Sequence, residues 1–318
     1  MAWRKVFASA ARVLAGLTVI WLGLIASASA ADRDCTASER QAANRQLWLN
    51  IRDKNIAVRS AALWALPAVD RSDHQRRLVQ RDYVITYDDD LLVPLWTVHR
   101  LDPDRLIAMD RVNCFRQDER LSAPIASRLF DYDEPEFDQG HLVPSADMEL
   151  SILANVNSFI LSNMAPQYEG FNRGTWEALE EQVRTWARSD GDLYVISGSV
   201  FDRDENGSRD PDADAERMVA NNQTRRVSVP SAFFKIVACH TRDGVTETLA
   251  ILLPHDQRRR GGAEAYEYFG EHVVALDAIE AVTGVSFAVD RTNIMEASEI
   301  WTPEGNGSRA SGSELCVR

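Results

Sequence analysis

Apolar side chains recur at spacings of three and four between Thr175 and Ser189, at Trp176, Leu179, Val183 and Trp186. That period places them along one side of a helix. A stripe carrying two indoles has to be covered by another layer of structure. The chain offers strands for the purpose. Tyr83–Tyr87 and Val93–Leu101 come before the helix, and Leu193–Val200, Ala232–Cys239 and Thr248–Leu253 follow it. All are rich in β-branched and aromatic residues. Pro94 makes its strand an edge strand or marks where it starts. A further helix is expected from Leu150 through Asn155, and residues 264–283 read as one helix closed by Gly284. The pattern predicts an α+β fold, a central antiparallel sheet flanked by helices.

Thr36-Ala-Ser-Glu39 has the form of a capping box, with a helix expected from there to about Asp53. Residues 56–80 are helical in part. Residues 32–75 thus form a helical N-terminal extension, 76–295 the main domain, and 296–318 a polar tail rich in Gly and Ser. Within the main domain, 102–136 is a long polar loop, of the kind compact domains keep for function. Ahead of all this stand Arg4, Lys5 and Arg12, the apolar run Val13–Ile25, and small residues at Ala28-Ser-Ala30. Residues 1–31 therefore read as a secretory signal peptide, cut after Ala30 or Ala31. The apolar run falls short of the ~20 residues a membrane span needs. The expected location is periplasmic or secreted.

With 45% hydrophobic and 26% charged residues, the composition excludes wholesale disorder. Net charge is −13, and loss of a segment with three basic and no acidic residues takes it to −16. Such acidity argues against a tight, static nucleic-acid binder, whose affinity comes from basic surface. It leaves room for an enzyme that brings a cation to its substrate. Cys35, Cys114, Cys239 and Cys316 are an even set in an exported chain, so two disulfides are expected. Three pairings exist. Chain ends often lie close together, which favours Cys35–Cys316 with Cys114–Cys239. No Cys-x-x-Cys supports a metal site instead.

Three clusters carry chemistry: Phe137-Asp-Gln-Gly-His-Leu-Val-Pro144, Leu161-Ser-Asn-Met-Ala-Pro-Gln167 and Asn172-Arg-Gly-Thr-Trp-Glu-Ala-Leu-Glu180. Gly140 beside His141 suits a tight bend, and an imidazole suits proton abstraction near neutral pH. Asn172 stands where a helix N-cap is expected, and a helix start attracts phosphate. Asn172, Trp176 and Glu180 are four apart and share one helix side. An amide oxygen and a carboxylate are the hard ligands that magnesium prefers. Taken singly, each residue reads as well as structure: a packed histidine, a cap, a solvated glutamate. Together they mark a candidate hydrolase site.

The three clusters resemble the DNA/RNA non-specific endonuclease family, whose ββα-metal motif runs Asp-Arg-Gly-His, Asn-x-x-Pro-Gln and Asn-x-x-x-Trp-x-x-Leu-Glu. The matching positions are Asp138–His141, Asn163–Gln167 and Asn172–Glu180. A looser likeness extends from about Tyr83 to Phe287 and includes Val229–Lys235. The resemblance implies a ββα-metal nuclease fold, with DNA and RNA as substrates and magnesium or manganese as cofactor. It implies His141 as general base, Asn172 as the protein's direct metal ligand, and Glu180 holding the metal's waters. It also implies Asn163 supporting the cleft and Arg116 clamping the phosphate. A homodimer is an open assembly for such a chain.

One position departs from that pattern: Gln139 stands where the family carries arginine. Arg116, Arg111 or Arg173 is then expected to supply the missing charge. A second ion site is suggested by Asp202, Asp204, Asn206 and Asp210, whose alternating oxygens open like a calcium loop, with Gly207 sixth. Ala213 stands where the closing carboxylate belongs, and a solvated acidic loop is the plainer reading. The alternatives for the whole chain are a phosphodiesterase acting on another substrate and an interaction protein weakened in catalysis by Gln139.

Overall fold

The computed structural model describes residues 32–62, 66, 73–107, 109–218, 227–241, 245–287, 294–296 and 316. The expected signal peptide and nearly all of the expected tail lie outside the described residues. What is described falls within one compact unit, Ala31–Arg318.

The extension opens with a short strand, β1 (Arg33–Asp34), and α1 (Ala37–Gln46). The capping box closes as expected: Glu39 N donates to Thr36 Oγ1, and Thr36 N donates to the Glu39 carboxylate. The helix stops earlier than Asp53, because Asn50 caps a second one, α2 (Ile51–Ala61), through the Asp53 N–H. Next come β2 (Gln75–Val79), β3 (Tyr83–Asp88) and β4 (Val93–Leu101). Among its described residues the long loop contributes a two-residue strand, β5 (Val112–Asn113), 3-10 turns and a bridge from Arg116 to Ile160. Then follow β6 (Phe137–His141), α3 (Ile152–Ser158), β7 (Met164–Tyr168), α4 (Glu177–Asp190), β8 (Leu193–Val200), β9 (Ala232–His240) and β10 (Thr246–Pro254).

The residues expected to form one helix over 264–283 form two, α5 (Gly262–Glu271) and α6 (Leu276–Thr283). Between them β11 (Val273–Val274) pairs with Ala250 and Ile251 of β10. Two adjacent valines fit an edge strand better than a helix interior. Gly284 closes α6 with φ +66°, a left-handed cap that favours glycine. The last strand, β12 (Ile294–Glu296), joins β10 in parallel.

The main sheet runs β11-β10-β9-β8-β4-β3-β2, antiparallel along this path, with β12 beside β10. Strand β4 is therefore central, and Pro94 marks its start rather than an edge. The β8 ladder begins at Trp96, so Pro94 lies outside it and pairs on the β3 side, opposite Tyr87. Helix α4 and Trp176 just before it bury the foreseen stripe, Trp176, Leu179, Val183 and Trp186. Trp176 lies 5.6 Å and Phe171 5.4 Å from the Phe233 ring of β9. Emptying such a position costs about 3–5 kcal/mol.

The disulfides correct the expected pairing. Cys35 joins Cys114, and Cys239 joins Cys316. Strand β1 lies parallel to β5, which sets Cys35 beside Cys114. A bridge from Thr241 to Cys316 brings the latter to the end of β9. Cys35 and Cys316 are thus each tied to a separate strand and not to each other.

Candidate active site

Strands β6 and β7 pair antiparallel from Phe137↔Tyr168 to His141↔Met164. The chain then makes a wide π-type turn over Phe171–Trp176 and enters α4. This is a ββα unit, and it sets Asp138, His141, Asn172 and Glu180 around one cleft of about 410 Å³. Asn172 is not the helix cap expected of it; it sits inside the turn, whose departure from α geometry lets its amide face the strands. Gly140 lies in β6 and makes no bend. A Cβ there would come within 2.2 Å of Gln167 Oε1, so glycine is needed for room.

The amide of Asn172 is oriented by its neighbour. Its Nδ2 donates to Asp138 Oδ2 at 2.8 Å. A carboxylate only accepts, so the nitrogen must face Asp138 and Oδ1 is turned away from it. Arg173 holds the same carboxylate with two bonds, of 2.9 and 2.7 Å.

His141 is fixed through its backbone, whose carbonyl accepts the Trp176 indole N–H at 3.1 Å. Its ring meets Phe159 and Phe115 edge-on, at 4.7 and 5.8 Å. Nε2 is buried without a hydrogen-bond partner. Burial, with Arg111 adding to it, holds the imidazole well below its ordinary value. The ring is therefore neutral at neutral pH, as a proton acceptor must be.

Glu180 lines the cleft from α4, half-buried. Burial pushes its carboxyl up to about 7, against the pull of Lys235 and Arg184. Lys235 lies beneath, 1% exposed, donating to Ser197 Oγ at 2.7 Å and 4.2 Å from the Trp176 ring centre. Arg184 donates to Asp147 Oδ1 at 3.0 Å, and Asp147 Oδ2 lies 2.9 Å from His99 Nε2. Burial alone would push the Asp147 carboxyl up, but His99 and Arg184 hold it below its ordinary value. These charges form a buried floor under the cleft.

One expected residue is elsewhere. Arg116 does not line the cleft. Its guanidinium is spent on Asn44 Oδ1, the carbonyls of Cys114 and Val156, and Asn157 Oδ1. Burial lowers its pKa to about 10. It is a structural brace, and the arginines that line the cleft are Arg111, Arg173 and Arg184. Arg111 donates Nε to Asn113 Oδ1 at 2.8 Å and a terminal nitrogen to Ser145 Oγ at 3.3 Å, with Asp32 4.0 Å from Nε. Asn163 is fully buried, bonding Val143 N, Val143 O and Ser158 O, so it braces the segment after His141 from behind. Gln139 does line the cleft, uncharged. The sequence reading missed Glu177 and Arg184 as lining residues; their α4 spacing from Glu180 was the available signal.

The loop after β8 brings Asp202, Asp204 and Asp210 together, each offering an oxygen within 4.8 Å of the others. The loop also satisfies itself. Asp202 accepts from Asn206 N and Gly207 N, Asp210 from Arg203 N, and Asn206 Oδ1 from Ser208 N.

The chain matches the family described as DNA/RNA non-specific endonuclease over residues 66–292. It is 32% identical to mitochondrial endonuclease G of Homo sapiens over 213 residues, covering 65% of this chain and 68% of the relative. It is 33% identical to nuclease C1 of Cunninghamella echinulata var. echinulata over 216 residues, 66% of this chain and 81% of the relative. Among solved structures it resembles one described as the crystal structure of the EndoG/EndoGI complex, with TM-score 0.61 and 25% identity. That likeness covers 73% of this chain and 92% of the other. With the ββα unit, the central antiparallel sheet and the motif residues gathered at one cleft, the chain belongs to the DNA/RNA non-specific endonuclease family and is a hydrolase, an endonuclease.

Proposed function

We propose that this is an exported, magnesium-dependent nuclease, manganese substituting, that hydrolyses DNA and RNA with little sequence preference. The observation that carries the reading is the pinned Asn172 amide facing the same cleft as the unpartnered Nε2 of His141. The residues fit a hard divalent cation: Asn172 Oδ1 is turned away from Asp138, and Glu180 adds a carboxylate. A magnesium ion held there by Asn172 supplies positive charge to the phosphate and to the departing oxygen.

The chain's own residues do the rest. Neutral His141 takes a proton from a water as that water's oxygen bonds to phosphorus, and the ester P–O bond on the opposite side breaks. Of the three arginines at the cleft, Arg173 is paired with Asp138 and Arg184 with Asp147, so Arg111 takes the part expected of Arg116 and steadies the developing negative charge. Glu180 accepts hydrogen bonds from water in the cleft. Phe115 and Phe159 hold the imidazole in its plane. Export rests on the N-terminal sequence pattern, and calcium at Asp202–Asp210 on the convergence of carboxylates there.

The test is cleavage of supercoiled plasmid and of a structured RNA, with magnesium or with chelator, beside His141→Ala. Metal-dependent loss of both substrates, absent in the variant, is the expected result. Near wild-type cleavage by the variant would sink the mechanism.

A further inference from the structure

The family match begins at residue 66, yet one wall of the cleft is held by residues before it. Among the described residues strand β5 pairs only with β1, in register Arg33↔Val112 and Asp34↔Asn113. Arg33 N donates to Arg111 O at 3.1 Å, and Cys35 N donates to Asn113 O at 2.9 Å. The Cys35–Cys114 bond closes this pair, Cα to Cα 5.2 Å. Cys114 lies between the two cleft residues Arg111 and Phe115.

Behind the pair is a small core separate from the main one. Ala43 of α1 packs there with Val112, Cys114, Val156 and Phe159, all at most 1% exposed, and Cys35 and Phe115 lie against it. Phe159 is the ring edge-on to His141. The Arg111 guanidinium carbon lies 4.9 Å from the centre of that ring. Arg116 ties the same strip to α1 through Asn44. The extension thus backs the phosphate-facing arginine and both rings that hold the base.

We propose that Cys35 and Cys114 are positioning residues of this nuclease: their disulfide locks β1 on β5 and so holds Arg111 and Phe115 at the cleft wall. This rests on the nuclease reading above and on Arg111 as the cation that meets the phosphate. A strip of irregular chain with a two-residue strand has little of its own to fix its backbone. A cross-link and a core contributed by a distant segment supply that. Displacing a substrate-positioning group by about 1 Å is enough to cost on the order of 100-fold in rate.

The test is steady-state cleavage of a DNA oligonucleotide in magnesium by the full chain carrying Cys35→Ser with Cys114→Ser, the Cys239–Cys316 bond left intact. Circular dichroism and a melt report the fold. The expected result is a folded protein with kcat/KM down by about 10- to 100-fold. In an Arg111→Ala background the same pair of substitutions is expected to cost a clearly smaller factor, the remainder acting through Phe115, since effects that act through one group are not additive. Arg33→Pro removes the N–H given to Arg111 O without touching a cysteine, with Arg33→Ala beside it to subtract the lost Glu39 ion pair, and a smaller loss of the same kind is expected for the proline alone. It decides the matter if the double variant does not fold. Unchanged kcat/KM, or an equal fractional loss with and without Arg111, overturns the inference. A wild type that cleaves no nucleic acid overturns the nuclease reading itself.

Discussion

Asp138 Oδ2 accepts the Asn172 amide N–H at 2.8 Å, across the step from β6 to the turn before α4. A single bond thereby fixes which end of the amide faces the cleft. Asp138→Asn would remove the constraint, because a second amide can donate as well as accept. The expected effect is a 10- to 100-fold rise in the magnesium concentration needed for half-maximal cleavage, the usual cost of losing a residue that orients a ligand. Asn172→Ala should lose more. A metal titration followed by plasmid nicking checks both, and an unchanged midpoint for Asp138→Asn would show that the amide needs no such partner.

The carboxyl of Glu180 is pushed up to about 7 by burial, and Lys235 works against that rise. Lys235→Met keeps the volume and removes the cation. The Glu180 pKa should then climb further, and the acid limb of the kcat profile should move to higher pH by about one unit. Lys235→Arg should restore part of it. A profile that falls in amplitude without moving along the pH axis would assign Lys235 to packing alone.

His255 bears on stability rather than chemistry. Its Nε2 accepts from Tyr168 N at 2.8 Å, and its Nδ1 faces Pro230 O at 2.8 Å, so the ring is neutral with the proton on Nδ1. Burial lowers its pKa to about 4, below the ordinary 6.5. The unfolded chain binds the proton first as pH falls, so this stability is whole above 6.5 and is lost on the way down to 4. By the 1.36 kcal/mol that each pK unit carries, about 3 kcal/mol is the upper bound. Urea unfolding at several pH values should show the slope in wild type and a flatter line in His255→Gln.

Gln139 lines the cleft and brings no charge to it. Gln139→Arg is expected to lower KM for DNA several-fold at low salt and to steepen the loss of affinity with salt, by about one phosphate contact. A KM that does not respond would mean that Arg111 already fills the role.

At Asp202, Asp204 and Asp210 the carboxylates converge while accepting bonds from their own loop. Calcium should raise the melting temperature if those oxygens turn outward to an ion. Calorimetry with no heat and no thermal gain would leave a self-capped acidic loop.

What the sequence determined by itself was what depends on neighbours along the chain. The α4 stripe, the Thr36 capping box, the Gly284 stop and the bounds of β4 and β8 follow from period and local propensity. The motif order also marked His141, Asn172 and Glu180, which the ββα unit brings to one cleft. What only the tertiary structure decided was pairing across long separations. Cys35 meets Cys114 because β1 lies on β5, a contact 79 residues apart that no local pattern encodes. The exchange of Arg116 for Arg111 has the same cause. Both are arginines in one polar loop, and their roles were set by which guanidinium α1 and the carbonyls around α3 captured. A buried arginine must satisfy its donors within the protein, as Arg116 does, while Arg111 lines the cleft.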